Sequence, residues 1–176
     1  MARDILLLVF VILLNACMSG TDDSEGIKVG DKLPAFEVAL TVVDSADWRN
    51  TNEHISVTNV QLVGKRNVIV FFSTTCPDCQ KELPVVQQLY DRVKSDSRYS
   101  LICISREEGR ESVEKYWHEH NLTLPYSPQP DRRIYSLFAT SLIPRIYITD
   151  TTSTITHIHT DNPLATIQEL LSEVQF

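Results

Sequence analysis

The sequence predicts an α/β fold in which a mixed central β-sheet is flanked by helices. Residues 67–73 and 99–105 each contain an uninterrupted apolar run, at 68–72 and 101–104, which is typical of strands buried on both faces. Each run is followed by a segment in which apolar residues recur at helical spacing. Before this core, residues 35–42 and 54–58 predict an extra N-terminal β-hairpin. Strands alternating with helices favour one sheet covered on both faces.

The elements after the core are predicted from capping and alternation. Asp131 is expected to cap a short helix. Residues 145–149 and 153–160 predict two strands joined by a tight turn. Asn162 as N-cap and Pro163 at the first helical position predict the start of a last helix. Four apolar residues would face inward from it: Leu164, Ile167, Leu171 and Val174.

Residues 1–16 are predicted to be a signal peptide. Their apolar run, 5–14, is too short to cross a hydrocarbon core that needs about 20 residues, and its length fits a secretory signal. The run ends in Leu-Asn-Ala-Cys at 14–17, which resembles a bacterial lipobox. That resemblance implies cleavage before Cys17 and a lipid on its side chain. An ordinary signal peptide cut nearby is the alternative.

A tether and one domain follow the cleavage site. Residues 17–30 are rich in Ser, Gly, Thr, Asp and Glu, which predicts a flexible, lipid-anchored tether. Residues 31–176 have the size of one domain. The expected location is therefore the extracytoplasmic, periplasmic side of a membrane, inner or outer. A net charge of −7 argues against nucleic acid as a partner.

The chemistry is expected at Cys76 and Cys79, two cysteines separated by two residues where the first buried strand meets its helix. Cys76 would lie at the N-cap, where free N–H groups and the helix dipole favour a thiolate. Cys79, one turn on and less exposed, would attack the mixed disulfide. This order of strand, C-x-x-C and helix predicts a redox-active disulfide that needs no other cofactor. Cys103, inside the second strand, is expected to act as a small hydrophobe.

Residues 73–84, with Pro84 inside the helix, resemble the thioredoxin superfamily. More closely, they resemble the TlpA/ResA-like periplasmic thiol–disulfide oxidoreductases. Residues 30–36 and 62–65 are similar to the segments that open the domain and lead into its central strand in that family. The resemblance covers nearly all of residues 31–176. It implies a thioredoxin-like fold and an enzyme that reduces disulfides of exported proteins.

Pro144 matches a cis-proline that the family places before a core strand, against the redox pair. Proline is the residue for which a cis bond is least costly, and it offers no N–H to a substrate. The resemblance implies that the backbone of Ile143 pairs with an extended substrate segment beside Cys76. A trans proline that opens an edge strand is the alternative.

Glu82 matches the acidic position that the family places beneath its active site. The sequence departs from thioredoxin at Val70, where thioredoxin carries a buried aspartate. Glu82 is therefore the remaining candidate to accept the proton of Cys79, since a spacing of three residues puts both on one helix face. A solvated helix glutamate is the alternative.

The rim of the site is expected to bind substrate through Thr75, Pro77 and Asp78, together with Ile143 and Pro144. Thr75 replaces the aromatic residue that is common before the first cysteine in the family. The charge of Asp78 favours the disulfide form, which predicts a potential nearer the about −270 mV of thioredoxin than the about −120 mV of DsbA. A reductase of this kind needs electrons from a membrane donor, whose identity is open, as is that of the substrate.

Three other functions compete. A metal-binding module could use His157 and His159 with Cys76 and Cys79 as a four-ligand site for zinc or copper. Alternating polar positions on an exposed strand explain the two histidines more simply, so no metal is expected. A thiol peroxidase would use Ser73, three residues before Cys76. A binding or chaperone module could keep the fold without catalysis.

Overall fold

The structure is a computed structural model that describes residues 26–43 and 54–174. The predicted signal peptide 1–16, the lipidation site Cys17 and most of the tether 17–30 lie outside the described residues, so these remain predictions. Within the described part, no helix is long and apolar enough to cross a membrane.

The described residues form one seven-stranded mixed sheet. Its strands β1 to β7, in chain order, are Glu37–Thr41, His54–Thr58, Arg66–Phe72, Tyr99–Ser105, Tyr126–Ser127, Arg145–Thr149 and Ile155–His159. Their order in space is β2-β1-β5-β4-β3-β6-β7. Strand β3 pairs in parallel with β4 and antiparallel with β6, so it is an interior strand of the sheet. The predicted hairpin is confirmed, since β1 and β2 pair antiparallel along their whole length.

Helices and aromatic side chains cover both faces of the sheet, as predicted. Three α-helices are described: α1, Pro77–Val93; α2, Arg110–Glu119; and α3, Ile167–Glu173. Phe72 of β3 meets Trp117 of α2 with ring centroids 4.8 Å apart. On the other face, Phe71 packs against Phe138 at 4.8 Å. Because consecutive residues of a strand point to opposite faces, β3 anchors both halves of the core.

The last helix starts later than predicted, and the assignment of Asn162 as N-cap and Pro163 as first helical residue is wrong. Thr166 is the N-cap: its hydroxyl accepts from the backbone N–H of Glu169 at 3.3 Å, and the Glu169 carboxylate accepts from the Thr166 N–H at 2.8 Å. This capping box satisfies two backbone N–H donors at the start of α3 that have no partner within the helix. Of the four residues predicted to face inward, Val174 is fully buried, whereas Leu164, Ile167 and Leu171 are partly buried; Leu170, which was not predicted, is also fully buried.

Two short elements also differ from the prediction. Strand β5 is only two residues long, too short for any alternation to mark it. The helix expected after Asp131 is a single 3-10 turn, Tyr135–Leu137. The carboxylate of Asp131 accepts from the backbone N–H of Arg133 at 2.8 Å, within the bend that precedes this turn.

The segment before β1 lies against the body of the domain, although residues 26–30 were predicted as the end of the tether. The backbone N–H of Ile27 donates to Phe138 O at 2.9 Å, and that of Gly30 donates to Ile155 O at 2.8 Å. A Cβ at Gly26 would come within 2.5 Å of the Phe138 carbonyl oxygen, so only glycine fits this close approach.

Replacement of Thr166 by alanine should lower the free energy of unfolding by about 1 kcal/mol, because an N-cap hydroxyl and its capping box are lost. Urea denaturation of the Thr166→Ala variant measures this. Asn162→Ala is the matched control, an exposed site that should change stability by less than about 0.5 kcal/mol. The reverse order of the two effects would place the cap at Asn162.

Candidate active site

Cys76 lies at the N-terminus of α1, at the end of the short loop that begins with Ser73. Its backbone is extended, as an N-cap requires, and Pro77 occupies the first helical position, so both predictions are confirmed. The backbone N–H of Cys79 donates to Cys76 Sγ at 3.4 Å. Cys76 is partly buried and Cys79 fully buried, and both are free thiols.

The two thiols therefore sit in different environments. Burial raises the pKa of the Cys79 thiol far above its ordinary value, and its hydrogen bond with Cys76 adds to the rise. Cys79 thus stays protonated at neutral pH while it is enclosed. The more accessible Cys76, which accepts from a helix N–H, is the thiol suited to attack a disulfide.

The loop before β6 closes over Cys76. The peptide bond between Ile143 and Pro144 is cis, as predicted. The Cys76 thiol donates to the carbonyl oxygen of Ile143 at 3.6 Å, and both Ile143 and Pro144 are buried. The residues expected to contact substrate backbone are therefore directly beside the first cysteine.

Two side chains that the sequence analysis missed hold this loop in place. The Tyr135 hydroxyl lies 2.5 Å from the carbonyl oxygens of both Ser141 and Leu142. Arg145 Nε donates to the Ser141 carbonyl at 3.1 Å. Leu142 has a φ of 67°, an unusual conformation for leucine, and its side chain is 47% exposed. An apolar side chain is thus presented at the rim of the site.

Glu82 is buried on α1, on the same inward face as Cys79, so the alternative of a solvated glutamate is excluded. Its Oε1 accepts from the backbone N–H of Ala165 at 3.1 Å, while Oε2 is buried without a hydrogen-bond partner among the described residues. Burial raises the pKa of Glu82 to about 7, although the Ala165 hydrogen bond and the charge of His159 oppose the rise. Its carboxyl group can therefore gain or lose a proton near neutral pH.

A second buried carboxylate, Glu108, was not predicted. It follows β4 and is 8% exposed. The backbone N–H of Thr74 donates to Glu108 Oε2 at 2.7 Å, and the Thr74 hydroxyl donates to Oε1. Glu108 thereby clamps the loop that leads to Cys76. The sequence could have indicated Glu108 only through its position shortly after β4, the strand that neighbours β3 in the sheet.

Three of the five expected rim residues are accessible, whereas Ile143 and Pro144 are buried. Thr75 and Pro77 are exposed, and Asp78 is partly exposed. The Asp78 carboxylate pairs with the ammonium group of Lys81 at 2.8 Å. The pair is on the surface, and the positive charge of Lys81 offsets the negative charge of Asp78. The effect of Asp78 on the two cysteines is therefore weaker than its sequence position suggested.

The ligand set of the metal hypothesis is not assembled. His159 Nε2 lies 2.6 Å from Glu173 Oε2, and His157 Nδ1 lies 3.1 Å from the Thr156 hydroxyl. Across residues 26–43 and 54–174, no group of three or more His, Cys, Asp or Glu side chains could hold a metal ion. Cys103 is fully buried in β4, and burial raises the pKa of its thiol, as suits a core residue.

Comparison with known proteins places this geometry in a family. Residues 29–158 match the model of the AhpC/TSA family. The chain belongs to the AhpC/TSA family. It is 24% identical over 146 residues to the thiol-disulfide oxidoreductase ResA of Oceanobacillus iheyensis, an alignment that covers 81% of this chain and 70% of the relative. The predicted resemblance to ResA-like thiol–disulfide oxidoreductases is confirmed.

Solved structures show the same fold for this AhpC/TSA member. One, from Bacteroides thetaiotaomicron and provisionally described as a protein disulfide isomerase, has a TM-score of 0.70 at 24% identity, covering 85% of this chain and 87% of the other. Another, a thioredoxin family thiol:disulfide interchange protein from Chlorobium tepidum, has a TM-score of 0.64 at 16% identity, covering 85% and 97%. The predicted thioredoxin-like fold is confirmed.

Replacement of Glu82 by glutamine should remove a pH dependence of stability. Burial raises the folded-state pKa from the ordinary 4.5 to about 7, so the protonated form contributes stability below about pH 4.5 that is lost as pH rises through 7. From about pH 5 to about pH 8, the free energy of unfolding of the native protein should fall by about 2–3 kcal/mol relative to Glu82→Gln. Urea denaturation of both proteins across this range measures the difference. Parallel pH profiles would contradict a buried, titrating Glu82.

Proposed function

We propose that this protein is an extracytoplasmic thiol–disulfide oxidoreductase that reduces disulfides of exported proteins with the dithiol of Cys76 and Cys79. The observation that carries the proposal is the arrangement of Cys76. Its Sγ lies between the Cys79 N–H at 3.4 Å and the Ile143 carbonyl at 3.6 Å, at the start of α1. A partly buried nucleophile with a buried partner one turn away is suited to two-step exchange.

The exchange transfers two electrons from the enzyme dithiol to the substrate disulfide. Cys76, as its thiolate, attacks one sulfur of the substrate disulfide, and the other sulfur leaves as a thiolate that takes up a proton. Cys79 then loses its proton and attacks Cys76 Sγ, which releases the second substrate sulfur as a thiolate. The substrate ends as a dithiol and the enzyme as the Cys76–Cys79 disulfide. A membrane dithiol donor of unknown identity would restore the reduced enzyme.

Glu82 is proposed as the acceptor of the Cys79 proton. It follows Cys79 by three residues on the buried face of α1, and its pKa of about 7 matches the pH at which the proton must move. The unpartnered Oε2 leaves one carboxylate oxygen available for that proton. Transfer within the enclosed site avoids placing two negative charges in the protein interior.

The substrate would lie along the loop that ends at Pro144. The Ile143 carbonyl and the accessible Thr75 and Pro77 border Cys76, and Asp78 lies next to them. An extended substrate segment can add to such a loop as a short strand. The exposed Leu142 would supply an apolar contact at the same rim.

A thiol peroxidase is less well supported. The Ser73 hydroxyl lies 2.9 Å from the Thr75 hydroxyl and also accepts from the Thr75 N–H, so it is engaged within its own loop. No described hydrogen bond joins it to the Cys76 sulfur. Slow reaction of the reduced enzyme with hydrogen peroxide, compared with a protein disulfide, would agree with this order of preference.

A redox titration with counting of alkylated thiols tests the central proposal. The full chain should show one two-electron transition with a midpoint nearer about −270 mV than about −120 mV, and Cys76→Ser should abolish it. Cys103→Ala is the matched control and should leave the transition unchanged, because that thiol is enclosed in the core. A high midpoint would make the enzyme an oxidant, and the absence of any reversible transition would refute the proposal.

The anchoring proposal rests on the sequence of residues 1–17. In cells that process lipoproteins, the chain should incorporate labelled fatty acid and sediment with membranes, and Cys17→Ser should lose both properties. Met18→Ser is the control and should keep them. A Cys17→Ser protein that remains lipid-labelled and membrane-bound would show that the anchor lies elsewhere.

A further inference from the structure

Arg106 lies beside the redox site with its charge uncompensated. It directly follows β4, and its backbone N–H donates to Phe72 O at 2.8 Å, next to the loop that carries Cys76. The side chain is partly buried, and its Nε is enclosed without a hydrogen-bond partner among the described residues. Its positive charge reaches the dithiol, since it acts to lower the pKa of Cys79.

The neighbouring acidic side chains are engaged elsewhere. Glu107 pairs with Arg132 Nη1 at 2.9 Å, and Glu108 binds the backbone N–H of Thr74 at 2.7 Å. Within residues 26–43 and 54–174, Arg106 therefore forms no ion pair. A partly desolvated guanidinium without an anion is unfavourable, because the cost of removing water is not recovered. An anion from outside the chain would recover it.

The aromatic ring of Tyr135 supports the guanidinium. The Arg106 Cζ lies 5.4 Å from the ring centroid, and the Cζ of Arg132 lies 5.3 Å from the same centroid. Arg132 is itself held by Glu107 and by the carbonyl of Thr140 at 2.6 Å. The support is thus fixed before any ligand arrives.

The same tyrosine connects this cation to the substrate side of the site. Its hydroxyl lies 2.5 Å from the carbonyls of Ser141 and Leu142, in the loop that continues to Ile143. The Ile143 carbonyl accepts from the Cys76 thiol. A substrate segment lying on this loop would therefore be near both Arg106 and Cys76.

We propose that Arg106 is an anion-binding residue that holds a carboxylate of the substrate protein close to the cysteine attacked by Cys76. The planar guanidinium matches a carboxylate and binds it more strongly than a neutral partner. Arg106 would thus select, among exported disulfide proteins, those with an Asp or Glu near the reactive cysteine. This inference rests on the proposed oxidoreductase function.

The test uses the reduced full chain and two peptides that each contain one disulfide and differ by Asp or Asn beside one cysteine. Single-turnover reduction should be about tenfold faster for the Asp peptide, after division by the rate with dithiothreitol, which corrects for intrinsic reactivity. Arg106→Gln should bring the Asp peptide to the rate of the Asn peptide and leave the Asn rate within about twofold. Raising the salt concentration should shrink the preference in the native protein.

Arg110→Gln is the matched control, because it removes the same charge from an exposed position on α2 and should retain the preference. Arg106→Lys should retain only part of it, since an ammonium lacks the fork. Equal rates for the two peptides with the native protein, or an equal loss for both in Arg106→Gln, would overturn the carboxylate subsite while leaving the oxidoreductase intact. Failure to reduce either peptide would instead overturn the proposed function.

Discussion

The pairing of β3 on both of its edges is the constraint on which the rest of the structure depends. Hydrogen bonding of β3 to β4 on one side and to β6 on the other brings three loop segments to the same end of the strands. These segments are 73–76 after β3, 106–108 after β4 and 141–144 before β6. Because β3 is almost completely buried from Val68 to Phe72, slippage of either neighbour would expose core side chains. The positions of the dithiol, the Glu108 clamp and the Pro144 loop are thereby fixed together.

Unequal burial then gives identical side chains different chemistry. Cys76 is held at the accessible end of α1 by the Cys79 N–H, whereas Cys79 is enclosed and its pKa is raised by burial. Glu82 lies on the same enclosed face, and burial raises the pKa of its carboxyl group to about 7. A low-dielectric interior penalises the charged form of each group, so the pKa of the Cys79 thiol and that of the Glu82 carboxyl group are both raised.

The charged residues around the site fall into two electrostatic environments. Asp78 and Lys81 pair on the surface, where water screens their effect on the cysteines. Glu108 is buried and Arg106 is partly buried, so water screens their charges less. Glu108 is satisfied by Thr74 and acts on the position of the loop. Arg106 has support from Tyr135 but no counter-ion within the described residues, and this difference is the basis for assigning it to substrate recognition.

Local signals in the sequence determined both ends of the strands 99–105 and 145–149. They also determined the capping position of Cys76 and the inward face of α1. Apolar periodicity and caps can be recognised locally because they involve residues a few positions apart. The cis bond at Pro144 followed from resemblance to a family. The start of α3 was placed four residues too early, at Asn162, whereas Thr166 forms the capping box with Glu169. Tertiary structure alone decided the partners of Glu108, Tyr135 and Arg106. Their contacts join segments that are distant in the chain, and no local pattern specifies which buried polar groups will meet.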